Sequence, residues 1–208
     1  NPSGRVHSEN EYRASIDWAR KTGGVVVSDE CYLEFGTNVA PTSILQYTDG
    51  DNKNILAVHS LSKRSNLAGY RAAFVVGDPA LIAQILEVRK HAGMMVPLPV
   101  QKAMIAALSD SDHVEEQRNR YNARKQVLMP ALKAAGFTID FSDAGLYLWA
   151  TRNEDCWASV AWLAELGILA TPGIFYGEKG SQHIRIAMTA TDEQISEAAA
   201  RILAKMVK

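Results

Sequence analysis

Cysteine is scarce. Cys31 and Cys156 are the two cysteines in 208 residues, and they stand in unrelated contexts without the paired spacing of a metal site. They read as reduced thiols of a cytoplasmic protein. An excess of charge is missing too: 22 Lys and Arg against 23 Asp and Glu leave a net charge of −1. Such a balance gives no electrostatic basis for nucleic acid or an anionic membrane as partner. There is no long uncharged apolar run and no signal-like start, so nothing argues for insertion or export. Repeats and low-complexity stretches are absent as well.

What is present is ordinary for a soluble globular protein: 47% hydrophobic, 22% charged and 8% aromatic residues. The length suits one large domain or two small ones, with enough chain to bury a core. The opening Asn1-Pro2-Ser3-Gly4 is a turn with no element before it, which leads to the expectation that this is a piece of a longer protein.

Ser8 and Glu11 form a capping-box pattern, and Tyr12, Ile16 and Trp18 with Ala19 predict a helix to about Lys21, ended by Gly23-Gly24. Val25-Val26-Val27 is a short β-branched run that predicts a strand buried on both faces. Residues 36–54 read as a surface excursion, followed by strands at 55–60 and 72–76. Helices are predicted over about 79–89, 97–108 and 113–135, the last with Val114, Tyr121, Val127-Leu128 and Leu132 as its apolar positions. Alternation then predicts antiparallel strands at 138–141 and 146–150. A helix over 156–166, the run Ile168–Ala170, a strand at 183–187 and a capped helix from Thr191 complete a small α+β domain. The boundary is placed inside the long helix, giving domains 1–119 and 120–208.

The chemistry gathers around Ser60-Leu61-Ser62-Lys63-Arg64-Ser65-Asn66-Leu67-Ala68-Gly69-Tyr70-Arg71. A lysine that must attack a carbonyl needs surroundings that disfavour its ammonium form, and a second cation in a desolvated site does that. Asp29 falls at the carboxyl end of the first predicted strand, and Ser60 to Lys63 at the carboxyl end of the second. Those ends form the ligand crevice of open α/β sheets. Taken singly, each residue has a bland reading. Lys63 is a solvated charge, Asp29 a cap, Tyr32 a core-edge aromatic and Arg185 an exposed strand residue.

Asn1-Pro2-Ser3-Gly4, Asp29-x-x-Tyr32, Ser60-x-Ser62-Lys63 with Arg71, and Arg185 in a late strand occur together and in this order. The set resembles the fold type I pyridoxal-phosphate (PLP) aminotransferases of class I/II, and the likeness covers the whole chain. It extends through Gly145-Leu146-Tyr147-Leu148-Trp149 and Pro172-Gly173-Ile174-Phe175-Tyr176-Gly177. The resemblance implies an α/β fold: the carboxyl-terminal part of a large mixed-sheet PLP-binding domain, then a small α+β domain. It implies pyridoxal 5'-phosphate held as a Schiff base on Lys63, which also shuttles the substrate α-proton. Asp29 would keep the pyridine nitrogen protonated, and Tyr32 and Asn1 would hydrogen-bond the phenolic oxygen. Ser60 and Arg71 would hold the phosphate, with Ser62 beside them, and Arg185 would clamp the substrate α-carboxylate. Asn1 is also assigned to the substrate site. A homodimer is implied, with Met94–Pro97 near its interface.

The family's chains begin much earlier, and the earlier half supplies a phosphate loop, the aromatic stacked on the ring and most side-chain specificity. The 208 residues alone are therefore expected not to be a competent enzyme. The run Ser60–Arg71, with Lys90-His91-Ala92-Gly93-Met94-Met95-Val96-Pro97, looks like the N-succinyldiaminopimelate aminotransferases of lysine biosynthesis. That likeness implies amino transfer between N-succinyl-LL-2,6-diaminopimelate and 2-oxoglutarate. Two other readings share the same residues: a PLP-dependent carbon–sulfur lyase, and an aminotransferase-like sensor domain of a transcription regulator. His59 is expected to face away from the site. His183 shares the strand face of Arg185, and Arg64 leaves open where its guanidinium points.

Overall fold

A computed structural model describes residues 1–206. The chain divides into two compact units. One comprises His7–Phe35 and Ala40–Glu115; the other comprises Asn1–Val6, Gly36–Val39 and the chain from Glu116 on.

The first unit begins with helix α1 (Glu9–Thr22). Ser8 accepts from the Glu11 N–H while the Glu11 carboxylate accepts from the Ser8 N–H at 2.8 Å, a reciprocal cap for two otherwise unpaired donors. Gly23 ends the helix at φ 71°, where a Cβ would be strained. The helix buries Ile16 and Ala19 against Ile44, Ile55 and Ala57, with Tyr12 and Tyr47 packed alongside. Trp18 departs from the expected stripe and is 52% exposed. It lies about 200° around the helix from Ile16, and its ring takes the space a Cβ on Gly24 would need.

Three strands follow: β1 (Val26–Asp29), β2 (Ile55–Ser60) and β3 (Ala73–Gly77). β1 runs parallel to β2, with Asp29 opposite Val58, and β3 runs antiparallel to β2, with Ala73 opposite Ser60. The two-faced burial expected for Val25–Val27 is not found: Val25 is 45% and Val27 57% exposed. Among the described residues only the Val26 face of β1 meets the core. The expected surface excursion also needs correction, because Ile44 and Thr48 are buried. The Glu30 carboxylate accepts from the Ile44 N–H at 2.8 Å and draws that turn inward. Helices α2 (Leu61–Arg64), α3 (Pro79–His91) and α4 (Leu98–Leu108) complete the unit. Asp78 caps α3, and N–H bonds from Asn54, Ala80 and Leu81 hold its carboxyl below the usual carboxylate range. Neither α3 nor α4 has a buried residue.

Helix α5 (Asp112–Ala134) carries the chain into the second unit. Tyr121, Leu128, Leu132 and Ala135 are buried at helical spacing. Val127, expected among them, is 44% exposed. Strands β4 (Thr138–Asp140), β5 (Tyr147–Thr151), β6 (Thr171–Pro172) and β7 (His183–Ala187) form an antiparallel sheet in the order β4-β5-β7-β6. The short strand falls at Thr171–Pro172 and not on Ile168–Ala170, and Leu169 is 94% exposed. Leu148, Ala150, Ile184 and Ile186 line the sheet's buried face. Helix α6 (Cys156–Glu165) buries Leu163, and α7 (Asp192–Met206) buries Ile195, Ala199 and Ile202. No helix of the described residues is long and apolar enough to cross a membrane.

Candidate active site

The parallel pairing of β1 and β2 decides the first part of the site. Asp29 ends β1 opposite Val58, so Ser60 lies two residues further along the neighbouring strand. The chain then turns at once into α2, with the Ser60 Oγ accepting from the Ser62 N–H at 3.1 Å. Leu61 is fully buried and accepts backbone bonds from both Ser65 and Leu67. Lys63 therefore sits on a single helical turn pinned by an apolar anchor, and is itself half-buried. Asp29 is exposed, its Oδ1 accepting from the Cys31 N–H at 3.1 Å. The Cys31 thiol is pushed up to about 12, chiefly by burial and then by its hydrogen bond to Asp29 and that carboxylate's charge, with the Lys63 charge acting in opposition. Asp29, Cys31 and Lys63 thus share one neighbourhood, and the thiol stays protonated at neutral pH, which removes it as a nucleophile. Tyr32 follows in the turn after Asp29, half-buried. Arg71 is exposed at φ 53°, its guanidinium donating to the Ala68 carbonyl at 2.9 Å.

Arg64 has its own partners. Its Nε donates to the Glu34 carboxylate at 2.7 Å and one terminal nitrogen to the Ala107 carbonyl at 2.7 Å, with the side chain 12% exposed. Ser65 adds a contact to His113, whose other ring nitrogen meets Asp110 at 2.7 Å. The residues directly after Lys63 thus brace the turn and do not reach for a substrate.

His59 has partners of its own. It lines a cavity of about 50 Å³ together with Glu30, Cys31, Ser60 and Arg64. Its Nε2 lies 3.3 Å from the buried Glu30 Oε2, and its ring stacks on Phe74 at 5.0 Å. Glu30 went unnoticed in the sequence, since a Glu next to a functional Asp reads as one more turn carboxylate.

In the second unit Arg185 stands on β7 opposite Trp149. A terminal nitrogen donates to Asn1 Oδ1 at 3.2 Å, so these two predicted residues do meet. The guanidinium carbon lies 4.2 Å from the Tyr147 ring centroid and 5.3 Å from that of Tyr176. His183, two residues earlier, stacks on Trp149 at 4.9 Å and meets Asp140 at 2.8 Å. Gly173 and Gly180 cross so tightly over Trp149 that a Cβ on either would strike the other's carbonyl. Lys125 was also missed. It is 1% exposed, on the α5 stripe four residues after Tyr121, and donates to Thr37 Oγ1 at 2.8 Å. Burial lowers its amine to about 8, against the opposing pull of Asp143. A charged residue at an apolar stripe position was the available signal.

Among the described residues no cluster of His, Cys, Asp and Glu suits a metal ion. The donor set of the first unit does suit a phosphorylated pyridine aldehyde. It offers an amine on a braced turn and a carboxylate beside it on the adjoining strand. Serine hydroxyls precede the amine at Ser60 and Ser62, and a guanidinium follows it at Arg71.

Comparison with known proteins gives one consistent picture. The model of the family "Aminotransferase class I and II" matches residues 1–202. A probable aminotransferase of Mycobacterium tuberculosis is 58% identical over 97% of the chain and 49% of its own length. The 4-dedimethylamino-4-oxo-anhydrotetracycline transaminase of Streptomyces rimosus is also 58% identical, over 97% of the chain and 57% of its own. An LL-diaminopimelate aminotransferase of Aquifex aeolicus is 34% identical over 97% and 53%. A solved structure from Thermus thermophilus, a probable N-succinyldiaminopimelate aminotransferase, superposes with a TM-score of 0.88 at 27% identity, covering 98% of the chain and 56% of that structure. The chain spans about half the length of the curated relatives it matches.

Proposed function

Because the chain belongs to the class I and II aminotransferase family, with the mixed α/β fold of PLP-dependent aminotransferases, we propose that the full-length protein is a PLP-dependent transaminase. The observation that carries this reading is the placement of Asp29 and the Ser60–Lys63 turn at the same ends of two parallel strands, with Lys63 on a braced helical turn. Pyridoxal phosphate supplies the electron sink that makes the substrate α-proton removable. Lys63 would hold it through its side-chain amine and would accept and return the substrate α-proton. Asp29 would supply the anion that keeps the ring nitrogen protonated, and Tyr32 and Asn1 would donate to the phenolic oxygen. Ser60, Ser62 and Arg71 would bind the phosphate, and Arg185 would bind the substrate α-carboxylate as a paired fork. The protein works as a cytoplasmic homodimer with a contact near Met94–Pro97. Support for the contact comes from Met94 and Met95, 50% and 52% exposed.

For the substrate we infer a long amino acid with a distal carboxylate, N-succinyl-LL-2,6-diaminopimelate, with 2-oxoglutarate as acceptor. The likeness to diaminopimelate and N-succinyldiaminopimelate aminotransferases supports it. The partner for the distal carboxylate is not Arg64, whose guanidinium is already bound. A second reading rests on the 58% identity to the Streptomyces rimosus transaminase, and takes a bulky cyclic ketone as amino acceptor. Single-turnover amino uptake by the full-length protein decides between them. N-succinyl-LL-2,6-diaminopimelate should exceed aspartate, alanine and aromatic amino acids in kcat/KM. A higher value for any of those overturns the diaminopimelate reading. Turnover with an anhydrotetracycline ketone alone selects the second.

A further inference from the structure

Arg185 is held in an unusual way for a half-buried cation. One terminal nitrogen donates to Asn1, its Nε is buried without a hydrogen-bond partner, and among the described residues no carboxylate pairs with it. What lies against the guanidinium instead is aromatic: Tyr147 at 4.2 Å and Tyr176 at 5.3 Å from ring centroid to guanidinium carbon. A ring face stabilises a cation through its quadrupole without using any N–H donor. A neighbouring Asp or Glu would stabilise it more but would occupy the fork that must receive a carboxylate.

Both rings are placed by rigid parts of the second unit. Tyr147 opens β5 opposite Ala187, which sets it diagonally from Arg185 on the paired strand. Tyr176 ends the 3-10 turn Gly173–Tyr176, and its ring meets Trp149 edge-on at 5.8 Å. The crossing of Gly173 and Gly180 fixes that turn against the same tryptophan. We propose that Tyr147 and Tyr176 are positioning residues for carboxylate recognition by Arg185, acting through their rings and not their hydroxyls. The inference rests on the assignment of Arg185 to the α-carboxylate.

The test compares L-glutamate with 4-aminobutyrate, which keeps the distal carboxylate and lacks the α-carboxylate, in single turnover by the full-length protein. Tyr176→Leu is the leading variant, because the residue is 39% exposed and its loss does not threaten the core. It should lower the ratio of kcat/KM for glutamate over 4-aminobutyrate about tenfold, and Tyr147→Leu should do likewise. Tyr176→Phe and Tyr147→Phe should keep the wild-type ratio. Glutarate, which has no amine to react, gives a readout independent of turnover. Its Kd by calorimetry should weaken by a similar factor in the leucine variants, towards that of Arg185→Ala. Equal losses on both amines with unchanged glutarate binding would make the tyrosines merely structural and overturn the proposal. So would phenylalanine variants as impaired as the leucine ones. If wild type takes up no amino group from any donor, the transaminase reading fails, and the glutarate series still decides the role of the rings.

Discussion

The two units differ in how completely they are covered. In the second, both the sheet and its helices have a buried side: Leu148 and Ile184 on the strands, Leu128 and Leu132 on α5, Ile202 on α7. In the first, α3 and α4 bury nothing, and Val27, Met95, Leu98 and Ile105 are more than half exposed. An exposed set of this kind marks surface that normally has a partner. The proposed chemistry of Lys63 and Asp29 nonetheless lies on that thinner unit. Within the described residues the Ser60–Lys63 turn is held by contacts local to it, the buried Leu61 and the hydrogen-bonded Arg64.

Removing the chemistry should leave the fold alone. Lys63→Ala in the full-length protein is expected to lower amino transfer by about a thousandfold or more, with an unchanged urea midpoint. The check is single-turnover kinetics beside a denaturation curve, with borohydride trapping of cofactor on the Lys63 peptide in wild type only. Cofactor still trapped on that peptide after the substitution would refute the assignment.

The contrast in covering is sharpened by a matched pair of truncations. Leu148→Ala in the second unit should cost about 2–5 kcal/mol through lost burial and a cavity. Ile105→Ala, at a residue 66% exposed, should stay within about 0.5 kcal/mol. Urea unfolding of the 208-residue chain measures both. A large loss at Ile105 would mean that α4 is covered after all, for instance by self-association.

Lys125 tests the second unit's core by pH. Its amine is lowered to about 8 by burial, while the unfolded chain keeps it near 10.4. Between those values the unfolded state binds more protons, so stability should rise as pH increases from about 8 to about 10.4. Below about 8 the full penalty of burying the charge applies, on the order of 3 kcal/mol. Lys125→Met should abolish that rise. Chemical denaturation at either end of the window reads the outcome, and an unchanged slope in the variant would assign the effect elsewhere.

A smaller effect than that of Lys125 concerns the brace. Arg64→Leu should cost about 1–3 kcal/mol by leaving Glu34 and the Ala107 carbonyl without their donor. Hydrogen exchange should quicken at Ser65 and Leu67, whose N–H groups bond to Leu61. Unchanged exchange there would show that Leu61 alone holds the turn.

Sequence alone determined what depends on near neighbours in the chain. The Ser8–Glu11 cap, the strands Ile55–Ser60 and His183–Ala187, and the capped final helix are local hydrogen bonding and periodicity, and each is legible from a few residues. The order of the motifs likewise identified the family without coordinates. Tertiary structure decided whatever depends on residues far along the chain. Val25–Val27 looked like a two-faced strand, yet its burial depends on what covers each side. Arg64 could point anywhere until Glu34 and Ala107 were placed beside it, and Glu30 mattered only once His59 and the Ile44 N–H closed on it. The same holds for Arg185, whose β-strand was readable but whose two tyrosines come from a paired strand and a distant turn. Local propensity fixes the backbone one element at a time, while burial and charge are set by the sum of surfaces that the fold brings together.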